Sequence, residues 1–209
     1  MKAKLFLSFL VAGLIFIASC TKYPPASDRL LEDLVIYTKY DTSINFKSFT
    51  TFSIVDSISY ISPKDSGKVL DANAAAVLNE ISKNMTNLGY VKVTKNQNPD
   101  LGINVVAIKN VNTQIYYPGW YWGYPGYYPP WYWGGGGYYY PYYPTYITSY
   151  STGTLLIDMV DRKNIQPGDT LFIRWNVYIR SLMTGYHTIG ELEKSIDQAF
   201  TQTKAFSKN

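Results

Sequence analysis

Thr170-Leu171-Phe172-Ile173-Arg174-Trp175-Asn176-Val177-Tyr178-Ile179-Arg180-Ser181-Leu182 alternates with a period of two. Leu171, Ile173, Trp175, Val177 and Ile179 fall on one side of this stretch. Phe172, Arg174, Asn176, Tyr178 and Arg180 fall on the other. A helix would scatter both sets around its circumference, whereas a strand separates them onto opposite faces. The stretch therefore predicts a half-buried antiparallel strand whose apolar set faces a core. A strand over 153–160 precedes it, and Asn164-Ile165-Gln166-Pro167-Gly168-Asp169 supplies a hairpin-type loop between the two.

Working outward, residues 34–40, 45–55, 90–94 and 101–109 also read as strands. A helix is predicted over 68–88, with Val77, Ile81, Met85 and Leu88 at helical spacing and Gly89 as terminator. A second helix is predicted over 189–205, with Leu192, Ile196, Ala199, Phe200 and Thr203 as its inner stripe. The order β-β-α-β-β-(insert)-β-β-α predicts an α+β fold. It would be an antiparallel or mixed sheet packed by two helices, in two layers, spanning residues 31–206.

The insert occupies residues 113–150. Thirty of the 31 residues from 116 to 146 are Tyr, Trp, Gly or Pro, and Thr145 is the exception. The segment has no charge and no aliphatic side chain. Gly and Pro exclude a long helix or a central strand, and the length exceeds an ordinary connection. It is expected to project from one end of the sheet. Four readings stand open: a mobile loop partly folded over the domain, a self-association or protein-partner surface, a membrane-interface contact, and a glycan-stacking surface. The candidate binding surface is Trp120, Tyr121, Trp122, Tyr127, Tyr128, Trp131, Tyr132 and Trp133. Nucleic-acid stacking is not expected, because no Lys or Arg accompanies these rings in sequence.

The N-terminus carries an address. Lys2 and Lys4 precede an apolar run over 5–17, and small residues Ala18 and Ser19 lead into Cys20, the only cysteine. A membrane span needs about 20 apolar residues, so this run reads as an export leader over 1–19. Ile17-Ala18-Ser19-Cys20 resembles the lipobox of bacterial lipoproteins. That resemblance implies lipidation of Cys20, with residues 20–30 as a Pro-containing tether. Thr21, Lys22 and Tyr23 follow with no acidic residue, which points to the outer membrane, facing the periplasm. Removing Lys2 and Lys4 leaves 17 basic against 15 acidic residues, a net charge of about +2 that is no nucleic-acid signature.

Signs of catalysis are sparse. His187 is the only histidine, and no zinc-type ligand cluster is present. Asp158 and Asp161, three apart in an extended segment, fall on opposite faces and read as a strand end, not an acid/base pair. Gly134 to Gly137 lack the Lys-Ser/Thr of a phosphate loop. Asn84-Met85-Thr86, a formal glycosylation sequon, falls in mid-helix. Neither a catalytic residue, a metal site nor a cofactor is expected.

Several landmarks in order resemble the lipoprotein family of domain of unknown function 4136. They are Tyr40-Asp41, Asn45-Phe46, Phe49-Thr50-Thr51-Phe52, Gly89-Tyr90, Pro99-Asp100, Gly153-Thr154-Leu155-Leu156-Ile157-Asp158-Met159-Val160-Asp161 and Trp175. The chain departs from the family at Trp175-Asn176-Val177, in place of a Trp-Arg-Gly-like step, and at Phe206-Ser207, in place of Phe-Pro. The resemblance implies an α+β envelope lipoprotein and no activity. The expected function is a lipid-anchored cell-envelope protein with a structural or binding role through an envelope glycan or protein. The alternative is a glycan-acting enzyme or an accessory glycan-binding module.

Overall fold

In a computed structural model the described residues are 35–62, 64–108, 119–142, 153–180 and 188–206. The leader, Cys20, the tether and His187 lie outside them, as do residues 113–118 and 143–150 of the insert.

The strands are β1 (Val35–Tyr40), β2 (Thr51–Ile54), β3 (Ile58–Ile61), β4 (Ser66–Val69), β5 (Val91–Lys92), β6 (Leu101–Ile108), β7 (Gly137–Tyr139), β8 (Thr154–Asp161) and β9 (Thr170–Arg180). The helices are α1 (Ala72–Asn87) and α2 (Ile189–Thr201). The sheet is mixed, with order β1-β9-β8-β6-β2-β5. One edge of β6 is shared by two parallel partners. Phe52–Ile54 lie along Leu101–Ile103, and Ser59–Ile61 lie along Val106–Ile108. β4 pairs antiparallel outside β3, and β7 pairs parallel with the start of β9.

Three element boundaries shift by more than two residues from the sequence reading. The strand expected from 45 begins at Thr51, because the Asn45 side chain caps a 3-10 turn at Phe46–Ser48 by accepting from the Lys47 N–H at 3.0 Å. The helix expected from 68 begins at Ala72, where the Asp71 carboxylate accepts from the Ala74 N–H at 2.8 Å. Residues 66–69 instead close the β3–β4 hairpin, whose four-residue strands are too short to show a period. The last helix ends at Thr201, and a separate 3-10 turn at Lys204–Phe206 follows. The start of α2 is fixed by a reciprocal cap between Thr188 and Glu191.

The two helices cover one face of the sheet. Val77, Ile81 and Met85 from α1 join Ile196, Ala199 and Phe200 from α2 in one core with Ile103, Val105, Ile157, Met159, Trp175 and Val177. The Trp175 indole donates to the Thr203 hydroxyl at 2.9 Å, and its ring lies 4.8 Å from that of Phe200. The sequon residue Asn84 joins the helices by donating to Asp197 at 2.7 Å.

A half-buried strand implies that the other face is solvated. It is not: every residue of β6 is buried, and so are Asn176 and Tyr178 of β9. Residues 119–142 fold back across this face as a third layer. The expected projection is therefore a cover. Gly, Pro and aromatic residues gave no periodicity from which such packing could be read, and the burial of rings against a sheet supplies the driving force.

The alternation of β9 is also interrupted. Met159 pairs with Trp175 but Val160 pairs with Ile173, so Arg174 is an extra residue in the ladder. Leu171 accordingly packs beside Gly135 of the aromatic cover.

Candidate functional site

The cover is seated by close backbone approach at two glycines. A Cβ on Gly102 of β6 would lie 2.8 Å from the Trp133 ring, so only glycine admits the indole there. Trp133 is fully buried, and its Nε1 donates to Asn104 Oδ1 at 2.8 Å. Gly126 has φ of +90°, and a Cβ on it would lie 2.6 Å from the Gly67 carbonyl oxygen of β4. Beside it the Ser59 hydroxyl donates to the Gly126 carbonyl at 2.8 Å. These contacts tie the cover to the β3–β4 hairpin that the sequence reading missed.

At the centre lies Asp158 of β8, 1% exposed. Its carboxylate accepts from Tyr121 at 2.8 Å, Tyr127 at 3.0 Å, Tyr140 at 2.9 Å and the Asn176 amide at 2.7 Å. Tyr121 and Tyr140 are also 2.6 Å apart, oxygen to oxygen. The Asn104 amide donates to Tyr127 at 3.1 Å and lies 3.3 Å from the Tyr138 hydroxyl, which donates to the Tyr128 carbonyl at 2.7 Å. Among the described residues no cation forms an ion pair with Asp158. Burial raises its pKa above the ordinary carboxylate value, although the hydrogen bonds oppose the shift. Burial, reinforced by the Asp158 charge, pushes the phenols of Tyr127 and Tyr140 well up.

Proton counting points the same way. Tyr121, Tyr127 and Tyr140 bring three hydroxyl protons to four close oxygen contacts: three to Asp158 and one between Tyr121 and Tyr140. An ionised Asp158 leaves one contact without a proton, and a protonated one supplies it. The arrangement is a sealed hydrogen-bond cluster that locks the cover to the sheet. Asn176, where the chain departs from the family pattern, is one of its donors.

The cover's outer end is different. Tyr128 donates to Asp56 at 2.6 Å, and Ser57 lies 2.7 Å from the same phenol. The hydrogen bond to Tyr128 holds the Asp56 carboxyl below its ordinary value against burial. Lys68 places its ammonium 3.7 Å above the Tyr128 ring, and Lys95 sits 4.1 Å above the Tyr132 ring. The Arg162 guanidinium is 5.5 Å from the Trp133 ring centre and donates to the Trp133 carbonyl at 2.8 Å. The cations missing from the aromatic sequence are thus brought to it by β4, the turn at Lys95–Gln97 and the end of β8.

Of the eight residues expected to form a binding surface, Trp120, Tyr121, Tyr127, Tyr128 and Trp133 are buried. Trp122 and Tyr132 are half-buried, and Trp131 is 73% exposed. Five of the eight cannot stack on an outside ligand, because their faces are spent on the sheet and on one another.

The remaining acidic landmarks also serve the fold. Asp100 accepts from the Thr50 N–H at 2.7 Å, the Thr50 hydroxyl at 2.9 Å and the Thr51 N–H at 3.1 Å, while its own N–H donates to the Thr51 hydroxyl at 2.9 Å. Arg174 bridges Asp41 at 2.6 Å and Asp161 at 2.8 Å. Asp158 and Asp161 therefore do not act as a pair: one lies beneath the cover and the other joins an ion triad.

The fold and site define an α+β domain whose helices cover one sheet face and whose aromatic segment covers the other. The chain belongs to the family described as domain of unknown function 4136, which matches residues 36–206. The crystal structure of a family member from Bacteroides thetaiotaomicron VPI-5482 is 35% identical, with a TM-score of 0.72 over 84% of this chain and 98% of that one. The PelC dodecamer from Paraburkholderia phytofirmans is 9% identical, with a TM-score of 0.41 over 85% of this chain and 99% of that one. A PDZ domain protein from Parabacteroides distasonis is 13% identical, with a TM-score of 0.44 over 88% of this chain and 40% of that one. No curated protein matches the chain.

Proposed function

We propose that this chain is a lipid-anchored protein of the bacterial cell envelope, held in the outer membrane facing the periplasm, with a structural or binding role and no catalysis. The observation that carries the non-catalytic part is the sealing of Asp158. This carboxylate, the most deeply buried among the described residues, is enclosed by three phenols and an amide. A general acid or base must reach a substrate proton directly or through one water, and this carboxylate is spent on holding the cover. The anchor rests on the leader and on Cys20, the only cysteine. Two or more acyl chains would make attachment stable, at about 0.8 kcal/mol per buried methylene.

Palmitate labelling of cells expressing the chain tests the anchor. Wild type incorporates label and loses its leader, and Cys20→Ser does neither. Labelling that persists in Cys20→Ser sinks the anchor.

A further inference from the structure

We infer that the outer end of the aromatic cover, where Trp131 is exposed and Lys68 and Lys95 lie over the Tyr128 and Tyr132 rings on either side of it in the chain, docks on the anionic headgroup layer of a phospholipid bilayer. Trp131 sits in the 3-10 turn Pro130–Trp133, which Gly134 and Gly135 close with N–H bonds to the Trp131 and Pro130 carbonyls. The next indole, Trp133, is fixed against the sheet beneath. A large apolar ring is therefore held outward, 73% exposed, on a rigid base. The backbone beneath it is already ordered by the turn, so insertion orders only the side chain.

The charges beside it are of one predominant sign. Among the described residues neither the Lys68 nor the Lys95 ammonium has a hydrogen-bond or ion-pair partner. Each lies over a ring face, which attracts the cation but leaves its N–H donors for an outside anion. Arg162 adds a third positive charge and Asp56, which Lys68 influences, subtracts one. Of the charged groups in contact with the Tyr128, Tyr132 and Trp133 rings or the Tyr128 hydroxyl, three are cations and one is a carboxylate.

This combination fits a lipid surface better than a saccharide. A sugar-stacking platform needs several open ring faces side by side, and of these four rings only Trp131 offers one: Tyr128 and Tyr132 carry ammonium groups and Trp133 is buried. An exposed indole, with lysines over the neighbouring rings, is the pattern favoured at a membrane–water interface, where the indole enters the headgroup layer and the cations meet phosphates. The physiological setting rests on the envelope reading above, but the contact itself does not need the acyl chains.

The test uses the mature chain, residues 20–209, carrying Cys20→Ser so that no lipid is attached. Flotation is measured with vesicles of phosphatidylcholine alone and of phosphatidylcholine with an equal part of phosphatidylglycerol. Binding is expected only to the anionic vesicles and should weaken as salt rises. Lys68→Gln with Lys95→Gln should weaken it about thirtyfold, and Trp131→Ala on the order of tenfold. Unchanged thermal unfolding of these variants shows that the fold is intact. Failure to bind, equal binding to both vesicle types, or binding that the variants leave unchanged overturns the inference. So does retention on peptidoglycan or polysaccharide, without vesicle binding, that Trp131→Ala abolishes. Because the acyl chains are absent, these outcomes stand apart from the palmitate result at Cys20.

Discussion

The hydroxyls of Tyr121 and Tyr140 lie 2.6 Å apart while both also touch Asp158. Two phenolic protons cannot fill these three contacts, so the cluster favours a proton on the carboxyl. The pKa direction agrees: burial raises Asp158 above its unfolded value.

The sign of the pH dependence follows. A carboxyl raised on folding contributes stability that is present below the unfolded pKa and lost as pH rises through the folded one. Wild type should therefore lose stability relative to Asp158→Asn as pH climbs from about 4. Denaturant unfolding of both proteins across this range checks it. A difference that stays constant with pH overturns the assignment.

Tyr140→Phe removes one donor from a buried carboxyl and one partner from Tyr121. The expected cost is about 1–3 kcal/mol, as for any buried polar group left short of a partner. Near-UV circular dichroism should change with it, since Tyr140 also stacks on Trp122 at 5.2 Å. Stability unchanged within a few tenths of a kcal/mol would contradict the cluster's role.

Gly102→Ala should be costly for a different reason. Its methyl would meet the Trp133 ring at 2.8 Å, with the indole also tied to Asn104. Overpacking of this kind costs about 1–3 kcal/mol. Gly89→Ala, where the residue follows α1 with φ of +94° and a Cβ would meet nothing within 4 Å, isolates backbone strain from crowding. Thermal unfolding of both separates the two effects.

Replacing residues 119–142 by a short Gly-Ser linker would uncover Val106, Ile108, Leu156 and Tyr178, now buried against the cover. Loss of solubility and binding of a hydrophobic dye are expected. A soluble, equally stable product would mean the segment is dispensable to the fold.

Arg174→Met strands Asp41 and Asp161. Removing one partner of a mostly buried ion triad costs about 3 kcal/mol. Burial pushes the Asp41 carboxyl up, but hydrogen bonds from Ser43 and Arg174 outweigh it and hold the carboxyl below its usual value. That stability is present above the unfolded pKa and is lost as pH falls through the folded one. The variant should therefore approach wild type in acid, which an unfolding series toward low pH measures.

Local patterns carried most of the framework. The helical stripe Val77, Ile81, Met85, the terminator Gly89 and the alternation of Trp175, Val177 and Ile179 depend on neighbours a few residues apart, so sequence spacing fixed their faces. The family landmarks were legible in the same way, though their purpose was not: Asp100 meets Thr50 and Thr51 only after β2 and β6 pair. The β3–β4 hairpin escaped because its strands are four residues long, and the bulge at Arg174 because an extra residue leaves alternation looking intact.

What the sequence determined alone was the α+β class, the long strands with their two helices, and the composition of the aromatic segment. Tertiary structure decided what that segment does. Tyr, Trp, Gly and Pro without periodicity name no face, so nothing local distinguishes a loop in solvent from a layer on a sheet. The choice depends on Gly102 admitting Trp133, on Asp158 receiving three phenols and on lysines from β4 and a distant turn reaching the rings. Those are contacts between residues far apart in the chain, and only the folded sheet brings them together.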